Sequence, residues 1–141
     1  IPGKPKRVGR RFTRTSGYKK ATVDVPDGLT AVIRPTATRR LLANLIANAD
    51  VHADRIAVKA VQEGSRLIIT VDDDGPGIPP DERESVFRPF YRLDKARNQN
   101  QGGTGLGLTI ARDIARRQGG NVTLATSPLG GLRARIVLPQ S

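Results

Sequence analysis

The sequence predicts an α/β (α+β) two-layer sandwich, in which helices pack on one face of a mixed β-sheet. At 141 residues, the chain has the length of a single domain and can bury a substantial core. Its hydrophobic periodicity changes in the order strands, helix, hairpin, glycine loop, mobile loop, helix and hairpin. Strands and helices in this order pack as a sheet with a layer of helices, and no internal repeat competes with that interpretation.

The first half of the chain carries the clearest periodicity. Residues 22–25 and 31–33 are rich in β-formers and flank the turn sequence Pro26-Asp27-Gly28. A helix is predicted from Thr36 to about Ala53, because apolar residues recur there at i, i+3, i+4 and i+7. Those residues are Leu42, Leu45, Ile46 and Ala49.

A hairpin and a second set of elements follow. Residues 56–61 and 67–71 read as two strands joined at Glu63-Gly64-Ser65. A short helix is predicted over residues 80–86. A mobile loop is predicted over residues 91–107, because that segment is polar and rich in glycine. The remaining elements are a helix over Leu108–Gln118 that ends at Gly119-Gly120, and closing strands over Val122–Thr126 and Arg133–Leu138.

The charge is concentrated at the N-terminus. Residues 1–20 contain eight basic residues and no acid, hence +8, whereas the rest has sixteen basic and thirteen acidic residues, hence +3, giving +11 in all. We therefore predict a basic linker arm over residues 1–20, disordered or junctional, and a folded domain over 21–141. A run of basic residues is weakly specific, so we interpret this arm as a solvated linker in preference to a DNA- or lipid-binding segment. The folded part has no basic stripe and no row of stacking aromatics, so no direct nucleic-acid partner is expected.

Composition excludes several other classes. The absence of cysteine removes disulfides, thiolate zinc sites and cysteine nucleophiles, and fits a reducing compartment. The absence of methionine predicts a processed or excised piece of a longer protein. The longest nearly apolar run, Leu41 to Ala49, is too short to span a bilayer, and no signal peptide precedes it. We expect a soluble fragment.

Two clusters of polar residues suggest chemistry. Asn44, Asn48 and His52 recur every four residues and so share one helix face. A solvent-facing polar stripe explains them when they are taken alone, but a carboxamide oxygen also suits Mg²⁺. Residues 72–78, Asp-Asp-Asp-Gly-Pro-Gly-Ile, follow a strand and can turn sharply at their glycines.

A carboxylate fixed in such a turn can accept a hydrogen bond from the adenine amine, where guanine presents a carbonyl oxygen. That bond is worth about 1.5–3 kcal/mol. The competing interpretations are an ordinary acidic turn and a calcium loop, although the EF-hand spacing is missing.

Two further clusters flank the predicted mobile loop. Residues 86–92 contain three of the five aromatic side chains in the chain, which predicts an anchor or hinge, or simple core packing. Residues 102–108, Gly-Gly-Thr-Gly-Leu-Gly-Leu, run into a helix, where free backbone N–H groups favour phosphate. The lysine and serine or threonine of a P-loop are missing there.

Together the four clusters resemble the boxes of histidine kinases. Residues 44–49 with His52 resemble the N box, 73–78 the G1 box, 87–92 the F box and 103–108 the G2 box. The resemblance covers roughly residues 22 to 139, and residues 90–98 look most like osmosensor kinases of the EnvZ type. It implies the Bergerat fold shared by gyrase, heat-shock protein 90, MutL and histidine kinases.

The resemblance also implies roles for individual residues. Asn48 would coordinate Mg²⁺, Asn44 would support the metal–phosphate end, and Asp73 would bind the adenine amine of ATP. Residues 91–107 would form a flexible ATP lid. The ATP-binding residues that it implies are Asn44, Asn48, His52, Asp73, Gly75, Gly77, Ile78, Tyr91, Arg92, Lys95, Arg97, Gly103, Thr104, Gly105, Leu106, Gly107 and Leu108.

The chain departs from the family pattern in three places. Val51 stands where the family often has Lys or Arg, which removes one phosphate contact. Arg34-Pro35 stands where Asp-Pro commonly opens the helix, so the usual N-cap is absent. The single histidine, His52, lies in the implied nucleotide site. The phosphoacceptor histidine is therefore expected outside this chain, and no catalytic residue is expected within it.

The resemblance implies a sensor protein-histidine kinase domain of a two-component system. Hydrolysing relatives carry a glutamate general base where this chain has Asn44, which cannot accept a proton, so phosphoryl transfer is favoured over hydrolysis. A serine kinase of the anti-sigma-factor type is the other alternative. The implied partners are a dimerisation and phosphoacceptor domain and a response regulator. The parent is expected to be a membrane-anchored homodimer of the inner membrane, with this fragment as a monomeric cytoplasmic domain.

Overall fold

The computed structural model describes residues 11–14, 20–29, 31, 33–91 and 107–140. Two single 3-10 turns, Pro80–Glu82 and Ser85–Phe87, lie in the segment between the fourth strand and the second helix described. The strands and helices are β1 (Arg11–Arg14), β2 (Lys20–Asp24), α1 (Pro35–His52), β3 (Arg55–Glu63), β4 (Arg66–Asp73), α2 (Gly107–Arg117), β5 (Asn121–Thr126) and β6 (Leu132–Pro139).

The described strands form one mixed sheet in the order β1-β2-β3-β4-β6-β5. β2 and β3 are parallel, whereas the other neighbouring strands are antiparallel. Parallel neighbours need a crossover connection, and α1 lies in the connection between β2 and β3. The β3–β4 hairpin turns at Gly64-Ser65, where Gly64 has a φ of 60°, and places Glu63 opposite Arg66.

The two helices in the described part of the chain, α1 and α2, pack on the same face of the sheet. Alternate residues of β4 enter the core, because side chains of a strand point to opposite faces. α1 contributes Leu41, Leu45 and Ala49, with Leu42 and Ile46 partly buried at its margin. The core also contains Ile56, Val58, Leu67, Ile69, Val71, Phe87, Ala111, Ile114, Ala115, Val122, Ala134, Ile136 and Leu138. The predicted two-layer sandwich is confirmed.

Three sequence predictions differ from the structure. Arg11–Arg14, assigned to the basic arm, form the edge strand β1 by pairing with β2, since Phe12 and Thr13 are β-formers next to an open edge. The boundary at residue 20 stays a prediction. Ala31 and Ile33 were predicted as strand but have no strand conformation; they pack against the core as irregular chain before the helix.

The third difference is the short helix predicted over residues 80–86. The structure has two 3-10 turns there, closed by i to i+3 hydrogen bonds such as Glu82 N–H to the Pro79 carbonyl at 2.9 Å. Neither turn receives a side-chain cap, and each spans three residues, which is typical of 3-10 structure.

In the described part of the chain, no helix has both the length and the hydrophobicity required to span a membrane.

Candidate functional site

α1 presents the predicted polar stripe beside its buried face. Asn44, Asn48 and His52 are half-buried, while Leu41, Leu45 and Ala49 of the same helix are buried. The helix begins at Pro35 without a side-chain cap at Arg34, as the missing aspartate predicts. The core residues therefore fix the helix rotation, and that rotation sets the direction of the three polar side chains.

The glycine turn, residues 73–78, packs directly against the C-terminal end of α1. A Cβ atom at Gly75 would lie 2.7 Å from the His52 carbonyl oxygen, closer than real Cβ contacts allow. Gly77 has a φ of 72°, in the left-handed region that favours glycine. Gly75 thus allows this turn to lie beside α1, and Gly77 allows the chain to turn next to Gly131. The structure therefore brings together the segments containing the predicted N and G1 boxes.

Asp73 is the buried carboxylate of the glycine turn, with 5% of its surface exposed. Its Oδ1 atom accepts two backbone hydrogen bonds, from Gly75 N–H at 2.9 Å and from Leu132 N–H at 3.0 Å. A buried carboxylate needs such partners, and two rigid backbone donors fix its orientation. Oδ2 takes no part in these two bonds.

Residues of the β5–β6 turn complete the support of Asp73, and the sequence analysis did not identify them as site residues. Gly131 N–H donates to the Asp73 carbonyl oxygen at 3.1 Å. A Cβ atom at Gly131 would overlap Asp73 Oδ1 and lie 2.6 Å from Gly75 N, so only glycine fits there. The adjacent glycines Gly130 and Gly131, which lie between the two predicted closing strands, were the signal that could have suggested this close approach.

Asp74 has a structural role that the sequence analysis also missed. Its Oδ1 atom accepts hydrogen bonds from the backbone N–H groups of Asp54 at 2.9 Å and Arg55 at 3.0 Å. The pKa of Asp74 is lowered from its usual value, chiefly because the Arg55 N–H stabilises the ionised carboxylate. Asp74 therefore joins the glycine turn to the connection between α1 and β3.

The segment 84–91 is held to α2 by the arginine clasp, which we define as Arg112 with Glu84, Phe87 and Val122. Both terminal nitrogens of Arg112 donate to the Glu84 carboxylate, at 2.9 and 2.8 Å. Its Nε donates to the Val122 carbonyl oxygen at 3.1 Å, and its guanidinium lies 3.6 Å above the Phe87 ring centroid. Arg112 is 8% exposed, so this arginine fixes the turn from inside.

The arginine clasp also affects titration and shapes a groove. The pKa of Glu84 is lowered, first by its hydrogen bond with Arg112. A groove of about 390 Å³ lies between the 84–89 turn and α2 and contains none of the predicted ATP-binding residues. The residues that line it are Glu84, Phe87, Arg88, Pro89, Thr109, Arg112, Asp113 and Arg116.

The three aromatics predicted as an anchor separate in the structure. Phe87 is buried in the core, whereas Phe90 is 68% exposed and has a φ of 63°. Tyr91 donates its hydroxyl to Glu82 Oε1 at 2.6 Å, and this bond raises the pKa of Tyr91. The anchor is thus Phe87, whose carbonyl oxygen also accepts the Thr109 hydroxyl at 2.6 Å.

α2 begins at Gly107, the last glycine of the predicted G2 box, next to the N-box helix. A Cβ atom at Gly107 would lie 3.9 Å from the Asn44 carbonyl oxygen, which is ordinary contact. Leu108 is half-buried against the core. The other predicted residues of the lid and G2 box lie outside the described residues: Arg92, Lys95, Arg97, Gly103, Thr104, Gly105 and Leu106.

The donor set on α1 fits a magnesium ion that is shared with phosphate oxygens. No group of three His, Cys, Asp or Glu side chains that could hold a metal occurs within the ranges that the structure describes. A carboxamide oxygen such as that of Asn48 is a hard ligand, and Mg²⁺ is usually held by few protein ligands, with water and phosphate completing the shell.

Comparison with known proteins gives a consistent family. Residues 33–141 match the family described as "Histidine kinase-, DNA gyrase B-, and HSP90-like ATPase". The sensor histidine kinase CpxA of Escherichia coli K12 is 44% identical over 123 residues, which are 86% of this chain and 27% of CpxA. The sensor protein kinase CarS of Pseudomonas aeruginosa is 47% identical over 100 residues, 70% of this chain and 22% of CarS.

Solved structures agree with this result. The mycobacterial sensor histidine kinase MprB superposes with a TM-score of 0.72 at 29% identity, covering 83% of this chain and 80% of that chain. The ATP-binding domain of PrrB from Mycobacterium tuberculosis gives a TM-score of 0.66 at 31% identity, covering 84% and 79%.

The resemblance that the four boxes predicted is confirmed by these matches. The chain spans 27% of CpxA and 22% of CarS, about a quarter of these relatives. The chain therefore belongs to the family of histidine kinase-, DNA gyrase B- and HSP90-like ATPases, and within it to the catalytic ATP-binding domains of sensor histidine kinases.

Proposed function

We propose that this domain binds Mg-ATP and transfers the γ-phosphoryl group to a histidine on a dimerisation and phosphoacceptor domain. The observation that carries the proposal is the buried Asp73 carboxylate, fixed by Gly75 and Leu132 N–H groups beside a glycine turn. The family supports ATP as the nucleotide, and the names of the relatives support histidine as the acceptor.

Asp73 supplies the selectivity for adenine. Its Oδ1 atom is occupied by the two backbone donors, so Oδ2 is the atom that accepts the exocyclic amine of the base. Guanine would place a carbonyl oxygen against the carboxylate, and the buried Asp would lose a partner. The discrimination is worth about 1.5–3 kcal/mol for a bond to a charged group.

The phosphates lie toward the polar stripe of α1. Asn48 would hold Mg²⁺ through its carboxamide oxygen, Asn44 would support the metal–phosphate end, and His52 would lie near the phosphates. When bound, the ion would neutralise charge on the phosphate oxygens. We also propose that the phosphates are contacted by Arg92, Lys95 and Arg97. The segment that closes around the triphosphate would comprise Gly103, Thr104, Gly105 and Leu106.

The transfer step requires positioning more than acid–base chemistry. An imidazole nitrogen of the acceptor attacks the γ-phosphorus, the bond to the β–γ bridging oxygen breaks, and ADP leaves. Asn44 occupies the place where a general base would activate water, and a carboxamide does not take up a proton at neutral pH. This residue favours transfer to a partner over hydrolysis.

The wider context is also a proposal, because the chain spans about a quarter of its curated relatives. We place the domain on the cytoplasmic side of a homodimeric, membrane-anchored sensor kinase that passes its phosphoryl group to a response regulator.

The test supplies the acceptor in trans. The dimerisation domain of the parent protein is incubated with this domain, Mg²⁺ and γ-labelled ATP, and its acceptor histidine is replaced by glutamine in a matched control. We expect label on the acceptor domain that is lost in acid and kept in base, as for phosphohistidine. This domain alone should stay unlabelled, since its single histidine, His52, is the one that the proposal assigns to the nucleotide site.

Two results would contradict the proposal. Acid-stable label on a serine would indicate the serine-kinase alternative. Rapid release of phosphate by this domain alone, without transfer, would indicate the hydrolysing alternative.

A further inference from the structure

An ion pair lies behind Asp73, on the sheet face opposite the helices. Asp72 and Arg133 are cross-strand partners of β4 and β6. Arg133 Nε donates to Asp72 Oδ1 at 2.7 Å, and its terminal nitrogen donates to Oδ2 at 3.0 Å. The neighbouring residue Val71 points into the core, so Asp72 points to the other face.

This pair stands at the end of the β4–β6 ladder. The regular register runs from Arg66 opposite Pro139 to Asp72 opposite Arg133. At the next position, Leu132 N–H donates to the Asp73 side chain. The ion pair is therefore the last pair of the regular register, and beyond it the two chain segments stay joined through Asp73, which accepts from Leu132 N–H and, at its carbonyl oxygen, from Gly131 N–H at 3.1 Å.

The position of each partner links the pair to Asp73 through the backbone. Asp72 directly precedes Asp73, and Arg133 directly follows Leu132, whose N–H fixes Asp73 Oδ1. The bidentate geometry restrains both the distance and the angle between the strands, which a single point contact does not. The Asp72 side chain is 8% exposed and that of Arg133 is 32% exposed, so the pair is partly shielded from solvent.

We propose that Asp72 and Arg133 are positioning residues that hold β4 and β6 in the register at which Leu132 fixes Asp73 for the adenine amine. This inference rests on the proposed function. Without the pair, the end of the ladder moves, Leu132 N–H is a poorer partner for Oδ1, and the carboxylate rotates. A rotated carboxylate discriminates less between an amine and a carbonyl oxygen. The main expected effect is therefore on the preference for ATP over GTP, and the effect on the stability of the fold is expected to be smaller.

The test compares the dissociation constants for ATP and GTP by calorimetry, in the wild type and in Arg133→Gln. Arg135→Gln is the matched control, because Arg135 lies two residues further along β6 on the same face, opposite Thr70. We expect the preference for ATP over GTP to fall about fivefold or more in Arg133→Gln and to change less than about twofold in the control. Thermal unfolding establishes that each variant is folded.

Arg133→Lys provides a second variant if Arg133→Gln is unstable. Lysine keeps the charge but not the bidentate geometry, so the preference for ATP should fall by a smaller factor. A purely structural ion pair would lower stability and leave the ratio of the two constants unchanged in both variants, which would overturn the inference. A wild type that binds ATP no better than GTP would instead overturn the proposed function.

Discussion

The glycine turn and the arginine clasp hold their parts of the molecule in different ways. At the glycine turn, a buried carboxylate is fixed by backbone N–H groups of Gly75 and Leu132. At the clasp, one buried side chain, Arg112, reaches a carboxylate, a carbonyl oxygen and an aromatic ring. Backbone donors leave one oxygen of Asp73 for a ligand, whereas Arg112 uses its donors within the protein. The first arrangement suits recognition and the second suits support.

The largest effect on stability is expected at the arginine clasp. Arg112→Met should lower the free energy of unfolding by about 1–3 kcal/mol, because the Val122 carbonyl oxygen loses its buried partner. Arg117→Met is the matched control on the same helix: Arg117 pairs with Asp113, and their side chains are 76% and 58% exposed. An exposed i, i+4 pair is worth about 0.3–0.5 kcal/mol.

Urea denaturation followed by circular dichroism measures both variants. Equal losses in the two variants would show that Arg112 is not a supporting residue. A loss of ATP affinity in folded Arg112→Met as large as that of a substitution at Asp73 would break the distinction between recognition and support.

A smaller and pH-dependent effect is expected at Asp74, which belongs to the glycine turn but supports structure. The pKa of Asp74 is lowered in the folded state, so its stabilisation is fully present above the unfolded pKa and is lost as the pH falls through the folded value. The gap in unfolding free energy between the wild type and Asp74→Asn should therefore narrow below about pH 4. Denaturation at pH 7 and pH 3 measures the gap, and a constant gap would contradict this role.

The sequence was most informative for the longer elements, whose local pattern is regular, and least for short segments such as 31–33 and 80–86. The period of Leu42, Leu45, Ile46 and Ala49 located α1, and the Gly64-Ser65 turn located the β3–β4 hairpin. These features depend on residues close together in the chain, and the four boxes added the family.

Contacts between distant segments could not be predicted. Leu132 N–H reaches Asp73 across 59 residues, and Arg112 reaches Glu84 across 28. Neither separation corresponds to a helical or strand period in the sequence. An arginine in an amphipathic helix is also expected to be a solvent-exposed charge, not a buried one. β1 was missed for a related reason, since four residues next to an open sheet edge carry little pattern of their own.

The central claim is that the Asp73 carboxylate accepts a hydrogen bond from the adenine amine. Its most direct test is a calorimetric titration of the wild type and of Asp73→Asn with ATP. Asparagine retains a carbonyl oxygen for the Gly75 and Leu132 N–H groups, so the fold should persist, but its NH₂ group would face the adenine amine. We predict that ATP affinity falls about tenfold or more, from the loss of about 1.5–3 kcal/mol. An unchanged dissociation constant in a folded variant would contradict the account.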